Sequence, residues 1–188
     1  MVDKLTMSVQ IVYETHSTSV DNERGFATGW LGGTLSDTGC EQAWQLGQRR
    51  RDDGVDAVIA SDLNRAVETA RIAFGDSGIP LLLDWRLREC NYGEMNGMPR
   101  SQLDAERRRR LDQPFLGGES WRQAVARVGD FLDELTSARD GQRVLLIGHV
   151  ATRWALDHYL VGVPLERLID APFDWREGWE YVLAPHPD

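Results

Sequence analysis

The sequence predicts a single α/β domain of three layers, α/β/α, around a mostly parallel central sheet. Two short apolar runs, Ser8 to Glu14 and Arg143 to Gly148, are rich in β-branched residues, and each delivers a histidine just past its end, His16 and His149. Buried parallel strands deliver side chains to a sheet edge in this way. A third run, Val55 to Ala60, leads into Ser61 to Ala66, so Arg65 falls in the first turn of a following helix. Segments with apolar residues at helical spacing separate these runs, and such alternation produces parallel strands with helices on both faces. At 188 residues the chain holds one full core and is short for two, so residues 1–188 are read as one domain.

Residues 1 to 7 read as a loose start. After the first strand, the segment from His16 to Leu35 is rich in Ser, Thr, Asn and Gly without a clear period, and a loop of about twenty residues inside a compact domain is usually functional. Ser36 is placed to N-cap a helix running to about Asp53, with Ala43, Leu46 and Gly47 inward and Gly54 as its stop. Arg49, Arg50 and Arg51 sit near its C-terminal end, where cations suit the helix dipole. Beyond the second strand, Leu63, Ala66, Val67 and Ala70 give a helix from about Asp62 to Phe74. Gly75-Asp76-Ser77-Gly78 imitates the nucleophile loop of a trypsin-like protease. That chemistry needs an all-β double barrel, and a turn closing a helix explains the same residues.

Pro80 to Asp84 reads as the third strand and residues 86 to 93 as a loop. Residues 100 to 112 read as a charged helix whose run Arg107 to Arg110, flanked by Asp104, Glu106 and Asp112, is a solvated face. A turn over Pro114 to Gly118 precedes an amphipathic helix, Glu119 to about Ala138, built on Trp121, Val125, Val128, Phe131, Leu132 and Leu135. The strand reaching His149, a helix over Thr152 to Val161 and a last strand, Gly178 to Leu183, complete the chain.

The net charge of −9 disfavours a nucleic-acid partner, because phosphate-backbone affinity needs a basic surface. Lys4 is the only lysine, so a phosphate pocket here must be built from Arg and His. Cys40 and Cys90 lack metal-ligand spacing and form no disulfide framework. No run approaches 18 apolar residues and the N-terminus lacks a signal-peptide pattern, so a cytoplasmic protein without membrane contact is expected. Composition is silent on oligomeric state.

In an open α/β sheet, ligands bind beyond the carboxyl ends of the strands. Two histidines and an arginine converging there point to an anion, phosphate foremost. The pattern extends further: Asn22 six residues after His16, Ser61-Asp62-Leu63-Asn64-Arg65-Ala66-Val67-Glu68-Thr69-Ala70, Leu87-Arg88-Glu89, Gly118-Glu119-Ser120 and His149, with Gly29-Trp30, Leu35-Ser36 and Gly39 to Ala43. In this order and spacing, from about Ile11 to Leu156, the sequence resembles the histidine phosphatase superfamily, also called phosphoglycerate mutase-like.

The resemblance implies that fold and a reaction without cofactor or metal. His16 would be the nucleophile that accepts a phosphoryl group, with Arg65, His149 and Asn22 gripping its oxygens and Glu89 protonating the leaving oxygen. It also sets Thr15, Ser17 and Val150 against the phosphate. One departure is large: the family has Arg and Gly on either side of the nucleophile, where this chain has Thr15 and Ser17. A hydroxyl offers one neutral donor where Arg offers a charged, bidentate fork, and Arg153 is the candidate for a compensating cation.

The leading reading is a phosphatase acting on a small phosphorylated molecule. Three others compete with it: a phosphoglycerate mutase-type phosphotransferase, disfavoured because family mutases tend to be longer; a non-catalytic member that binds a phosphorylated ligand or a protein; and a metal-dependent hydrolase using His16, His149 and Asp62. Specificity is expected in the segments 17 to 35 and 91 to 119, with Trp30, Tyr92, Met95 and Phe115 at the pocket mouth.

Overall fold

The structure, a computed structural model, describes residues 7–172 and 174–185. Apart from Met7, the expected loose start lies outside the described residues. The elements are β1 (Val9–Thr15), α1 (Val20–Glu23), β2 (Phe26–Ala27), α2 (Asp37–Arg50), β3 (Ala57–Ala60), α3 (Asn64–Phe74), β4 (Leu81–Leu83), β5 (Met98–Pro99), α4 (Arg100–Glu106), α5 (Trp121–Ala138), β6 (Arg143–Gly148), α6 (Val150–Val161), α7 (Leu165–Leu168) and β7 (Trp179–Leu183). The central sheet runs β4-β3-β6-β1-β7, its first four strands parallel and β7 antiparallel to β1. The three-layer α/β/α fold and its mostly parallel sheet are as the sequence predicts.

Period-two alternation divides the strands between two cores. Ile11 and Tyr13 of β1, Ile59 of β3 and Val144 and Leu146 of β6 join Val128, Phe131 and Leu132 of α5 and Ala155 of α6. Val12, Val58, Leu145 and Ile147 face the other way, against Leu46 of α2 and Ala66, Ala70 and Phe74 of α3. A fully buried aliphatic side chain contributes about 1.5–3 kcal/mol, more than an exposed ion pair. The two apolar layers therefore hold the sheet, and the many surface Arg–carboxylate pairs decorate it.

The sheet fixes the site through register. Thr15 pairs with Gly148, so His16 and His149 leave adjacent parallel strands at one edge, and Ala60 pairs with Ile147, bringing Ser61 to the same edge. Helix α2 closes over the residues after His16: Ser36 N donates to Thr18 O at 3.1 Å, and a Cβ on Gly39 would meet Thr18 O at 1.9 Å. Only glycine permits that approach.

Several elements differ from the sequence reading, each for a local reason. The long loop contains a helical turn, α1, capped reciprocally by Ser19 and Asn22, and β2 pairs antiparallel with β5. Both elements are too short to show a period. Helix α4 ends at Glu106 instead of 112, because the Arg107 to Leu111 segment turns to make its own contacts. Helix α6 begins at Val150, directly after His149, and α7 has only four residues.

Candidate active site

His16 and His149 stand with ring centroids 4.9 Å apart. Arg65 links them: its Nε donates to His16 Nε2 at 3.3 Å and its Nη2 to His149 Nδ1 at 3.3 Å. Its Nη2 also donates to Gly29 O at 2.9 Å, and among the described residues no carboxylate pairs with it. A guanidinium only donates, and this assigns both tautomers. His16 Nδ1 lies 2.8 Å from Ser17 O, an acceptor, so Nδ1 carries the proton and Nε2 keeps its lone pair. His149 Nδ1 accepts, so its Nε2 carries the proton and donates to Ser61 Oγ at 2.9 Å. Burial, then the nearby Arg65 charge, pushes the His16 pKa down to about 3, and the same two causes in the same order hold His149 well below its usual value. Both imidazoles are therefore neutral at physiological pH, the state in which a ring nitrogen can attack.

Glu89 approaches from the other side. Its Oε1 accepts from Cys90 N at 2.9 Å and Ala151 N at 3.1 Å, and its Oε2 from Val150 N at 3.3 Å. The carboxyl thus sits on the first free N–H groups of α6. Burial raises its pKa, while the backbone donors and Arg65 pull the other way. Its loop is pinned by Arg127, which donates to the carbonyls of Arg86, Arg88 and Glu89 at 2.6, 3.2 and 3.2 Å and donates two hydrogen bonds to the Glu119 carboxylate. Trp30 Nε1 adds a bond to Glu89 O at 2.6 Å, and Thr152 Oγ ties β6 to the loop by accepting from His149 N and donating to Leu87 O.

These groups line a cavity of about 360 Å³. Of the residues expected in a site, Thr15, His16, Asn22, Arg65, Glu89, His149 and Val150 line it. Among the described residues three arginines, Arg65, Arg100 and Arg107, line it against one carboxylate, Glu89, and of the three Arg107 is paired with Asp104 at 2.6 Å. A protein of net charge −9 therefore keeps a positive cavity, which draws an anion inward.

The family model described as histidine phosphatase superfamily (branch 1) matches residues 15–176. The chain belongs to this superfamily. A probable phosphoglycerate mutase, GpmB, of Erwinia tasmaniensis is 32% identical over 164 residues, covering 83% of this chain and 76% of that protein. Among solved structures, a mycobacterial glucosyl-3-phosphoglycerate phosphatase in complex with VO3 is 26% identical with a TM-score of 0.74, covering 85% of each chain. The α-ribazole phosphatase of Shigella flexneri is 27% identical with a TM-score of 0.74, covering 85% of this chain and 83% of that one.

This member of the histidine phosphatase superfamily departs from the sequence expectations at several side chains. Ser17 does not line the cavity; its backbone N–H goes to Thr69 Oγ1 at 3.0 Å. The Val150 N–H is given to Glu89 and is not left for a phosphate. Arg153 turns away, stacking 4.4 Å over Trp179 and pairing with Asp157 at 3.3 Å, so it does not replace a cation at position 15. Asp62, required by the metal-hydrolase alternative, has both oxygens held by Arg88 at 2.6 and 2.7 Å. Among the described residues no group of three His, Cys, Asp or Glu side chains is arranged to hold a metal ion. Of the four aromatic and Met residues expected at the mouth, only Tyr92 lines the cavity. Trp30 lies under Arg88, and Phe115 packs on Tyr92 in the core.

Residues that sequence reasoning missed are Thr18, Gln42, Arg100, Leu103 and Arg107, together with Phe26, Trp121 and Trp175. The signal for three of them was present: positions 100, 103 and 107 are spaced i, i+3, i+7, one face of a helix, and reading 107 to 110 as uniformly solvated hid it. Arg107 pairs with Asp104, and the rest of that run is satisfied by Asp170, Glu106 and Gln113.

Proposed function

We propose that this chain is a cytoplasmic phosphatase that hydrolyses a small phosphorylated molecule through a phosphohistidine on His16. The observation that carries the reading is the tautomer: a neutral imidazole, fixed through Nδ1, presents its Nε2 lone pair beside an arginine that has no carboxylate partner. The Nε2 lone pair attacks phosphorus and the ester P–O bond breaks, Glu89 giving its proton to the leaving oxygen. Water then attacks phosphorus and the N–P bond breaks, Glu89 taking the water's proton. Inorganic phosphate and neutral His16 result.

Arg65 holds the equatorial oxygens through both steps, where fixed charge stabilises the transition state. As the groups stand, His149 Nδ1 is an acceptor. A phosphoryl dianion beside it raises the imidazole pKa, and the proton so taken up makes Nδ1 a donor to the phosphoryl group. The glucosyl-3-phosphoglycerate and α-ribazole phosphatases support hydrolysis by analogy. The likeness to a probable phosphoglycerate mutase favours a second reading, in which the phosphoryl group returns to an organic acceptor. Phosphate release from a panel of phosphorylated metabolites, with a phosphorylated product sought in parallel, separates the two.

The protonation states set the pH profile. His16 must be neutral, so kcat/KM on an alkyl phosphate falls only as pH drops through about 3. Glu89 must be protonated, so activity falls as pH rises through its raised pKa. The expected profile is an acidic plateau with an alkaline limb, and Glu89→Gln leaves only the part of that limb that comes from proton uptake by His149. A rate that climbs as pH rises through about 6.5, the ordinary imidazole value, would contradict the neutral His16.

Thr15 leaves one corner of the site without charge. Two charge-assisted bonds of about 1.5–3 kcal/mol each would replace one hydroxyl bond of about 1 kcal/mol in Thr15→Arg. Nitrophenyl phosphate turnover or phosphate affinity is expected to rise at least about tenfold, and an unchanged or lower value means that corner is already served.

A further inference from the structure

Rows of neutral donors face His16 where Thr15 offers no charge. Thr15, Thr18, Asn22 and Gln42 line the cavity beside the nucleophile. Two of them are carboxamides whose oxygen is already committed. Gln42 Oε1 accepts from Thr18 N at 2.9 Å, and Asn22 Oδ1 from Ser19 N at 3.0 Å. A backbone N–H can only donate, so in each side chain the oxygen is fixed and the NH₂ group remains toward the cavity. Among the described residues neither NH₂ has an acceptor.

Gln42 is also held in place. It sits in α2, whose Ser36 N–H donates to Thr18 O and whose Gly39 has backbone in contact with the same residue. Thr15 and Gln42, with Trp175, line both this cavity and a second, small one of about 30 Å³, so the two cavities share these residues.

We infer that Gln42 is a phosphoryl-binding residue, donating from its carboxamide N–H to an equatorial phosphoryl oxygen at the corner occupied by Thr15. This rests on the phosphatase reading above and adds to it a grip of oriented neutral donors, with Arg65 the charged member. The sequence spacing hides it, because Gln42 lies 26 residues from His16 and on a helix whose face reads as ordinary surface.

Two substitutions isolate the donor. Gln42→Glu keeps an oxygen for the Thr18 N–H, removes the donor and adds a charge; Gln42→Met removes donor and anchor but adds no charge. Loss of the donor is the one change they share. Binding of inorganic phosphate and of orthovanadate is measured by calorimetry and by inhibition of nitrophenyl phosphate hydrolysis, with thermal midpoints taken alongside. Both variants are expected to bind about tenfold more weakly, as for a hydrogen bond to a charged group, while Gln42→Glu keeps the wild-type melting temperature. In wild type, the Gln42 side-chain amide resonances should shift on phosphate titration with the same affinity. Gln42→Met binding within threefold of wild type, or amide resonances unmoved at saturating phosphate, would overturn the inference while leaving the phosphatase reading intact. Wild type that neither binds phosphate nor hydrolyses any ester removes both.

Discussion

Replacing His16 by alanine is expected to remove phosphate release by several orders of magnitude, because the substitution deletes the covalent path and not merely a contact. His149 is held through both nitrogens, its Nδ1 accepting from Arg65 and its Nε2 donating to buried Ser61. His16→Ala should retain the fold, since among the described residues the side chain's hydrogen bonds are to Ser17 O and Arg65. The wild-type rate should survive excess EDTA, as the stabilising charge is Arg65 itself. Steady-state phosphate release with and without chelator checks both statements. Activity that collapses on chelation and returns with a divalent ion would contradict them.

Glu89→Gln is the second large effect, and its size should depend on the leaving group. A carboxamide keeps one oxygen for Cys90 and Ala151 and sets an NH₂ against the Val150 N–H, a modest structural cost. What it loses is the transferable proton, worth about 10²–10⁴-fold where the leaving oxygen is basic. Turnover of alkyl phosphates should fall by that factor. Nitrophenyl phosphate, whose leaving oxygen needs little protonation, should lose much less in kcat/KM, which reports transfer to His16, even where the slowed hydrolysis of the intermediate lowers its kcat. Equal losses on both would make Glu89 a positioning group. The rival explanation, a carboxylate ordering the loop through Arg86 or Arg88, has lost its partners: Arg86 is bound to Asp84 and Glu134, and Arg88 to Asp62.

The parts of the molecule legible in the sequence are those governed by short-range pattern. Apolar runs gave β1, β3 and β6, and the histidine after each outer run could be placed at one edge because parallel register is enforced by two buried faces. Arg65 was legible because a helix start follows β3 directly. Glu89 came through the family resemblance alone, since nothing in Leu87-Arg88-Glu89 shows that α6 supplies N–H groups from 61 and 62 residues away.

The misreadings share one cause. Arg153, Ser17 and Val150 lie in the right stretches, yet side-chain direction and backbone satisfaction decide what they do. Arg153 finds Trp179 on β7, Ser17 finds Thr69 and Val150 finds Glu89, all long-range partners that spacing does not reveal. The arginine run after α4 shows the converse. Four like residues in a row diverge because a turn carries them to Asp104, Asp170 and Glu106, and of the four only Arg107 reaches the cavity.

The proposed mechanism requires the phosphoryl group to rest on His16 between the two steps. Rapid quench of wild type with a phosphoryl-labelled substrate, followed by peptide mass spectrometry, reads it directly. The expected result is a phosphoramidate on His16, labile in acid and stable in base, absent from His16→Ala and accumulated in Glu89→Gln with nitrophenyl phosphate, where breakdown lacks its base. Turnover with no labelled protein, or label on a serine or carboxylate, would contradict it.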